Sequence, residues 1–151
     1  MAGAAPSLVV RALRLLAQRE RSREELRRKL AGEDAEPGEL EAVLDELQRK
    51  GLLSEARLAE QLTHAARGRY GSRHVLDRLR RKGVSSDALE SATRALERQD
   101  LESARALWRK RFGRPPADLS ERARQARFLA GRGFSGEVIR EVLGGEPDDS
   151  Q

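Results

Sequence analysis

Apolar residues recur at three- and four-residue steps along nearly the whole chain, the spacing of one helix face. Val9, Leu13 and Leu16 form a first stripe, Leu26 and Leu30 a second, and Leu40, Val43, Leu44 and Leu47 a third. Leu58, Leu62 and Ala65 or Ala66 come next, then Val75, Leu76 and Leu79, then Leu89, Ala92 and Leu96. Leu101, Ala104, Trp108 and Phe112 predict a seventh helix, Phe128 and Leu129 an eighth, and Val138, Ile139, Val142 and Leu143 a ninth. No segment alternates with period two among β-branched residues, so no strand is expected. Ser22 with Glu25, and Asp118 with Glu121, have the spacing of N-terminal caps. Gly51, Gly83 and Gly133 follow basic helix ends, where a left-handed residue closes the last turn.

The pattern repeats. "RRKGVSSDAL" (Arg80–Leu89) and "GRGFSGEVI" (Gly131–Ile139) align on Gly83 and Gly133, each a helix stop, an apolar residue and a serine cap. A shift of 49 lays Leu26, Leu30, Leu40 and Leu47 over Val75, Leu79, Leu89 and Leu96. A shift of 50 lays Leu79, Leu89 and Ala92 over Leu129, Ile139 and Val142. The expected fold is all-α: an elongated tandem array of three three-helix, helix-turn-helix-like repeats at 7–53, 54–98 and 99–144. Residues 1–6 and the tail 145–151, "GEPDDSQ", are expected to be disordered.

Composition favours small units over one large core. Of 151 residues, 36% are charged and only 3% aromatic. There is no cysteine, no apolar run long enough to span a bilayer, and no secretory leader pattern, so a cytoplasmic setting is expected. The net charge of +5 is unevenly spread. Glu33–Gln48 holds seven acids and no Lys or Arg; Arg67–Lys82 holds seven bases against Asp77; Arg105–Arg132 holds nine bases against Asp118 and Glu121. Such tracts suit polyanions or acidic protein surfaces.

No catalytic constellation stands out. His64 and His74 lack partners at ligand spacing and read as ordinary polar or half-buried residues, and the paired Asp148 and Asp149 lie in the tail. Neither an enzyme activity nor a cofactor or metal is expected. The helix–turn–helix elbow raises DNA reading, but the second helices carry Asp87, Glu90 and Glu97, then Glu137 and Glu141, which would repel phosphate. The positive charge sits on the preceding helices and loops. "RGRYGSR" and "RKRFGRPPAD" each set an aromatic and a glycine inside a basic run, a combination that can stack on a base or grip an acidic surface. Trp108 shares a stripe with Leu101 and reads as core; Tyr70 fits contact and packing equally; Pro115–Pro116 separates two helices.

"ALRLLAQRERSREELRRKL", "VLDELQRKGLLSEARLAE", "RGRYGSRHVLDRLRRKGV" and "FGRPPADLSERARQARFLAGRGFSGEVIREVL" resemble the bacterial RecX family over about residues 8–144. The chain differs from that pattern at "AGEDAEPGEL", where a basic–Gly–Phe elbow is usual, and at Leu58, where an aromatic is common. The resemblance implies a modular protein that binds the RecA filament on single-stranded DNA; a monomer is expected because no helix carries surplus apolar residues on a second face. It implies restraint of recombinase, ATPase and coprotease activities in DNA repair and the SOS response. The partner-binding residues it suggests are Arg67, Arg69, Tyr70, Arg73, Arg78, Arg81 and Lys82, then Arg109, Lys110, Arg111, Arg114, Arg124, Arg127 and Arg132. The alternative is a stand-alone nucleic-acid-binding helical module. No membrane contact is expected.

Overall fold

The computed structural model describes residues 6–144. Apart from Pro6, the two segments expected to be disordered lie outside them, as do Asp148 and Asp149. Eight helices occur among the described residues, and no strand: α1 (Leu8–Gln18), α2 (Arg23–Leu30), α3 (Glu39–Arg49), α4 (Glu55–Ala66), α5 (Ser72–Arg81), α6 (Ser86–Arg111), α7 (Leu119–Gly131) and α8 (Gly136–Leu143). The all-helical fold class is as expected.

The sequence predicted nine helices; the sixth and seventh are one. α6 runs for 26 residues without a break. No Gly or Pro interrupts Leu96–Leu101, and the inward stripe continues through Ala92, Leu96, Asp100, Ser103, Ala104 and Leu107. The polar members of that stripe hid its continuity. The register of α1 also differs from expectation. Leu8 and Ala12 are buried with Leu15 and Leu16 packed beside them, whereas Val9, Val10 and Leu13 are exposed. Apolar residues occupy both faces of this segment, so periodicity could not select between them.

The contacts gather into two compact units: residues up to Ala59 with Leu79–Leu89, and Glu60–Arg78 with Glu90 onward. α4, α5 and α6 each contribute to both. In the first, Leu8, Leu26, Leu30, Leu40, Leu44, Leu47 and Leu53 form the core. In the second, Ala104, Leu107, Leu129, Phe134 and Ile139 do so. Each such leucine removed from water contributes about 1.5–3 kcal/mol.

Inside each unit the repeated glycine elbow packs against the start of a helix far back in the chain. The Ser22–Glu25 capping box forms as expected. The Ser22 hydroxyl also donates to the carbonyl of Lys82. Glu55 accepts the Arg23 N–H at 3.1 Å with one carboxylate oxygen and the Ser85 N–H at 3.0 Å with the other, so one side chain caps two helices. In the second unit, the Gly71 N–H donates to the Arg132 carbonyl at 2.8 Å and the Arg73 N–H to the Gly133 carbonyl at 3.1 Å. Asp100, buried within α6, accepts the Ser72 N–H at 3.1 Å. Burial pushes the Asp100 carboxyl up against the opposing effect of that hydrogen bond.

The approach is close enough to require glycine. A Cβ at Gly83 would lie 2.7 Å from Glu24 Cβ, and one at Gly133 would lie 2.6 Å from the His74 backbone nitrogen. Both glycines also have positive φ, +75° and +97°. The shared sentence of residues 80–89 and 131–139 is therefore a docking element as well as a turn. Ser85 and Ser135 cap the following helices by accepting from the Ala88 and Val138 N–H groups.

The acidic stretch of the first unit is held by arginines of α1 and α2. Arg23 reaches Glu41 and Asp45, each at 2.7 Å; Arg27 reaches Glu41 at 2.6 Å and also pairs with Glu24; Arg11 pairs with Glu33. Asp34 accepts the Leu40 N–H, and Glu39 accepts the Ala35 N–H. Hydrogen bonds from Arg27, then Arg23, hold the Glu41 carboxyl down at about 2 against an ordinary value of 4.5.

Two measurements check these contacts. Gly133→Ala should lower unfolding free energy by about 3 kcal/mol, because it adds a backbone clash to the left-handed penalty. Gly51→Ala, at φ +74° with open space around it, should cost only about 1–2 kcal/mol. Equal losses in denaturant titrations would contradict the docked elbow. The depressed Glu41 carboxyl contributes stability that is present above pH 4.5 and lost as pH falls through about 2. The stability advantage of the natural chain over Glu41→Gln should therefore shrink across that window, and a pH-independent difference would contradict the pairing.

Candidate functional site

The basic tracts of the second unit meet around a column of rings. α4 stops at Ala66, whose carbonyl accepts the N–H groups of Arg69 and Tyr70, both at 2.9 Å. Gly68, with φ +70°, turns the chain, and its N–H donates to the Ser103 hydroxyl of α6 at 3.0 Å. This fixed turn sets Tyr70 beside the first turn of α5, where its ring stacks on His74 with centroids 3.9 Å apart and planes 10° from parallel.

Arg132, at the end of α7, lies over the other participants. Its guanidinium carbon is 5.3 Å from the Tyr70 centroid and 5.1 Å from the Phe128 centroid. Arg111, at the end of α6, is 5.5 Å from Phe128 and 6.0 Å from Phe112. Phe112 and Phe128 meet edge to face at 5.4 Å. The result is a connected ladder of His74, Tyr70, Arg132, Phe128, Arg111 and Phe112. Each cation–ring contact contributes about 0.5–1 kcal/mol at an exposed site, and the rings restrict where the charges point.

The expected partner-binding residues are distributed unequally. Tyr70, Arg111 and Arg132 join the ladder. Arg67, Arg69, Arg73 and Arg78 are exposed in the same unit, with the Arg67 guanidinium donating to Gln99 at 3.1 Å. Arg109, Lys110, Arg114, Arg124 and Arg127 are exposed too. Arg81 and Lys82 belong to the first unit, where the Lys82 ammonium lies 3.6 Å from Glu25. The sequence pattern did not single out His74 and Phe128 as ring platforms. The signal was present as Tyr70–His74 and Phe128–Arg132 at helical four-residue spacing.

Tyr70 is half-buried and serves packing and surface together. Trp108 is half-buried against the second core; its Nε1–H donates to the buried Gln125 side chain at 2.9 Å. Gln125 in turn donates to the Arg114 carbonyl at 3.2 Å, tethering the "RKRFGRPPAD" loop to α7. Among the described residues no group of three or more His, Cys, Asp or Glu side chains is placed to hold a metal.

The electrostatic contrast is sharp. In the first unit Arg11, Arg19, Arg23, Arg27, Arg28, Arg49 and Arg57 all pair with carboxylates. In the second, Arg109, Lys110, Arg111, Arg114, Arg124, Arg127 and Arg132 form no ion pair among the described residues. Their charge is uncommitted and gathered along α6, α7 and the loop joining them. The geometry supports binding of an anionic surface by guanidiniums that the rings hold in place.

Comparison with known proteins agrees with the helical repeat. The first three-helix domain of RecX matches residues 10–47, and the third three-helix domain matches residues 97–143. The regulatory protein RecX of Leptothrix cholodnii is 52% identical over 137 residues, spanning 91% of this chain and 87% of that protein. That of Chromobacterium violaceum is 46% identical over 149 residues, spanning 99% and 97%. The crystal structure of RecX from Lactobacillus salivarius shares the fold, with a TM-score of 0.76 at 19% identity over 91% of this chain and 92% of that one. Among the described residues no helix is long and apolar enough to cross a membrane. The chain belongs to the RecX family of regulatory proteins.

Proposed function

We propose that this protein acts in the cytoplasm as a monomer that binds the RecA filament on single-stranded DNA. It restrains the filament's recombinase, ATPase and coprotease activities in DNA repair and the SOS response. The observation that carries this reading is the uncommitted arginine surface of the second unit, ordered by the Tyr70–Arg132–Phe128–Arg111 ladder. A polymeric target presents the same acidic surface or phosphate at regular intervals. Three three-helix units, at 7–53, 54–98 and 99–144, would meet successive sites, and weak contacts held on one chain reinforce each other. The docked elbows add stiffness that a flexible basic tail lacks.

The ladder also favours a second reading, a stand-alone nucleic-acid-binding module, because guanidinium–ring stacks accept bases as well as carboxylates. The two differ in salt dependence. A simple single-strand binder loses affinity with a log–log slope of about −0.7 per phosphate contacted.

The protein should slow RecA's ATPase on single-stranded DNA when added below stoichiometric ratios. It should bind the filament more tightly than bare DNA at one salt concentration. Arg111→Ala with Arg132→Ala should weaken filament binding about tenfold, about 1.4 kcal/mol, with the helical circular-dichroism signal retained. An unchanged ATPase rate at every ratio, or equal affinity for filament and bare strand, would contradict the proposal.

A further inference from the structure

α7 and α8 flank a shallow, open groove of about 370 Å³ that the ladder does not use. Its floor is apolar, with Ala126, Ile139 and Leu143, and its rim is cationic, with Arg122, Arg127 and Arg140. No carboxylate lines it. Arg122 is fixed at one end, donating to the Leu143 carbonyl at 3.2 Å. Arg127 and Arg140 are exposed and make no hydrogen bond or ion pair among the described residues. Small residues keep the walls low: a Cβ at Gly136 would meet only the end of the Arg140 side chain, at 3.6 Å.

We infer that this groove docks a short acidic segment of a protein partner, one apolar side chain seated on the floor and flanking carboxylates against Arg127 and Arg140. Charge complementarity selects the sign of the occupant, because three guanidiniums repel a basic segment. The floor selects the class. A phosphate backbone gains nothing from Ile139 and Leu143, whereas an amphipathic peptide laid between two helices buries its anchor there. The volume suits an anchor of one or two large side chains, at the small end of the range for binding pockets. A carboxylate–guanidinium pair at the rim of an apolar contact is partly shielded from water, which strengthens it relative to a fully exposed pair. Arg140 stands outside the basic tracts, a single arginine between Ile139 and Glu141.

The inference rests on the filament reading for the partner's identity, and its test separates the two. The full chain, Ala130→Trp and Arg127→Gln with Arg140→Gln are compared for binding to RecA filaments and to bare single-stranded DNA. A labelled peptide of about twelve residues, Asp- and Glu-rich with leucines four apart, is the direct probe. Ala130 is an exposed lining residue, so Trp there fills the groove without removing charge or core. Both variants should weaken peptide and filament binding by about tenfold or more. Ala130→Trp should leave affinity for bare DNA within about twofold. Filament binding unchanged in both variants would overturn the groove and leave the filament reading standing. Loss of bare-DNA affinity matching the loss of filament affinity in Ala130→Trp would also overturn it. Failure of the natural chain to bind filaments, with groove-dependent peptide binding intact, would overturn only the filament reading.

Discussion

The first amides of a helix have no partner within it, and satisfying them is the constraint on which the rest of this structure depends. α2 and α5 meet it by borrowing from distant sequence. At α2, Glu55 accepts the Arg23 N–H while the Ser22 hydroxyl of the cap donates to the Lys82 carbonyl; at α5, the Arg132 and Gly133 carbonyls accept the Gly71 and Arg73 N–H groups and Asp100 accepts the Ser72 N–H. Short helices of eight to ten residues, such as α2 and α5, are marginal alone in water. Docking their starts against an elbow converts local instability into long-range order. Because glycine is the residue that permits the approach, the repeated motif and the repeated joint are one feature.

That arrangement explains how function is divided along the chain. The first unit balances its own charge: the acidic stretch is spent on arginines of α1 and α2 and on loop amides. The second leaves its arginines facing outward, and uses rings to hold them apart. Arg132 shows the link between fold and surface most clearly. Its carbonyl accepts from Gly71 in the joint, while its guanidinium stands between Tyr70 and Phe128 in the ladder. A change that loosens the joint would also displace the charge.

Much of the helical plan was legible because apolar spacing and caps report local geometry. Ser22 with Glu25, and Gly83 and Gly133 with their positive φ, appear where the residues place them. The sequence was less informative wherever a polar residue turned inward. Asp100 and Ser103 are polar and fall outside the apolar spacing, yet they belong to the buried face of α6 with Ala92, Leu96, Ala104 and Leu107. In α1 the apolar residues cover too much of the circumference for spacing to choose Leu8 and Ala12 over Val9 and Leu13. The basic runs were visible as composition, but pairing was not. Nothing in "RKGV" marks Lys82 as Glu25's neighbour, and nothing in "RQARFLAGR" states that Arg132 would lie over a ring some sixty positions back in the chain. Those contacts arise from the joint, which is a property of two distant segments together.

Native-state hydrogen exchange at the joint amides tests the central claim most directly. If the elbows hold the helix starts, the N–H groups of Arg23, Gly71, Ser72 and Arg73 should exchange within about tenfold of the slowest amides of the helices. Exchange at rates typical of open loops, with the helix interiors still protected, would show that α2 and α5 begin unheld and would contradict the docked joint.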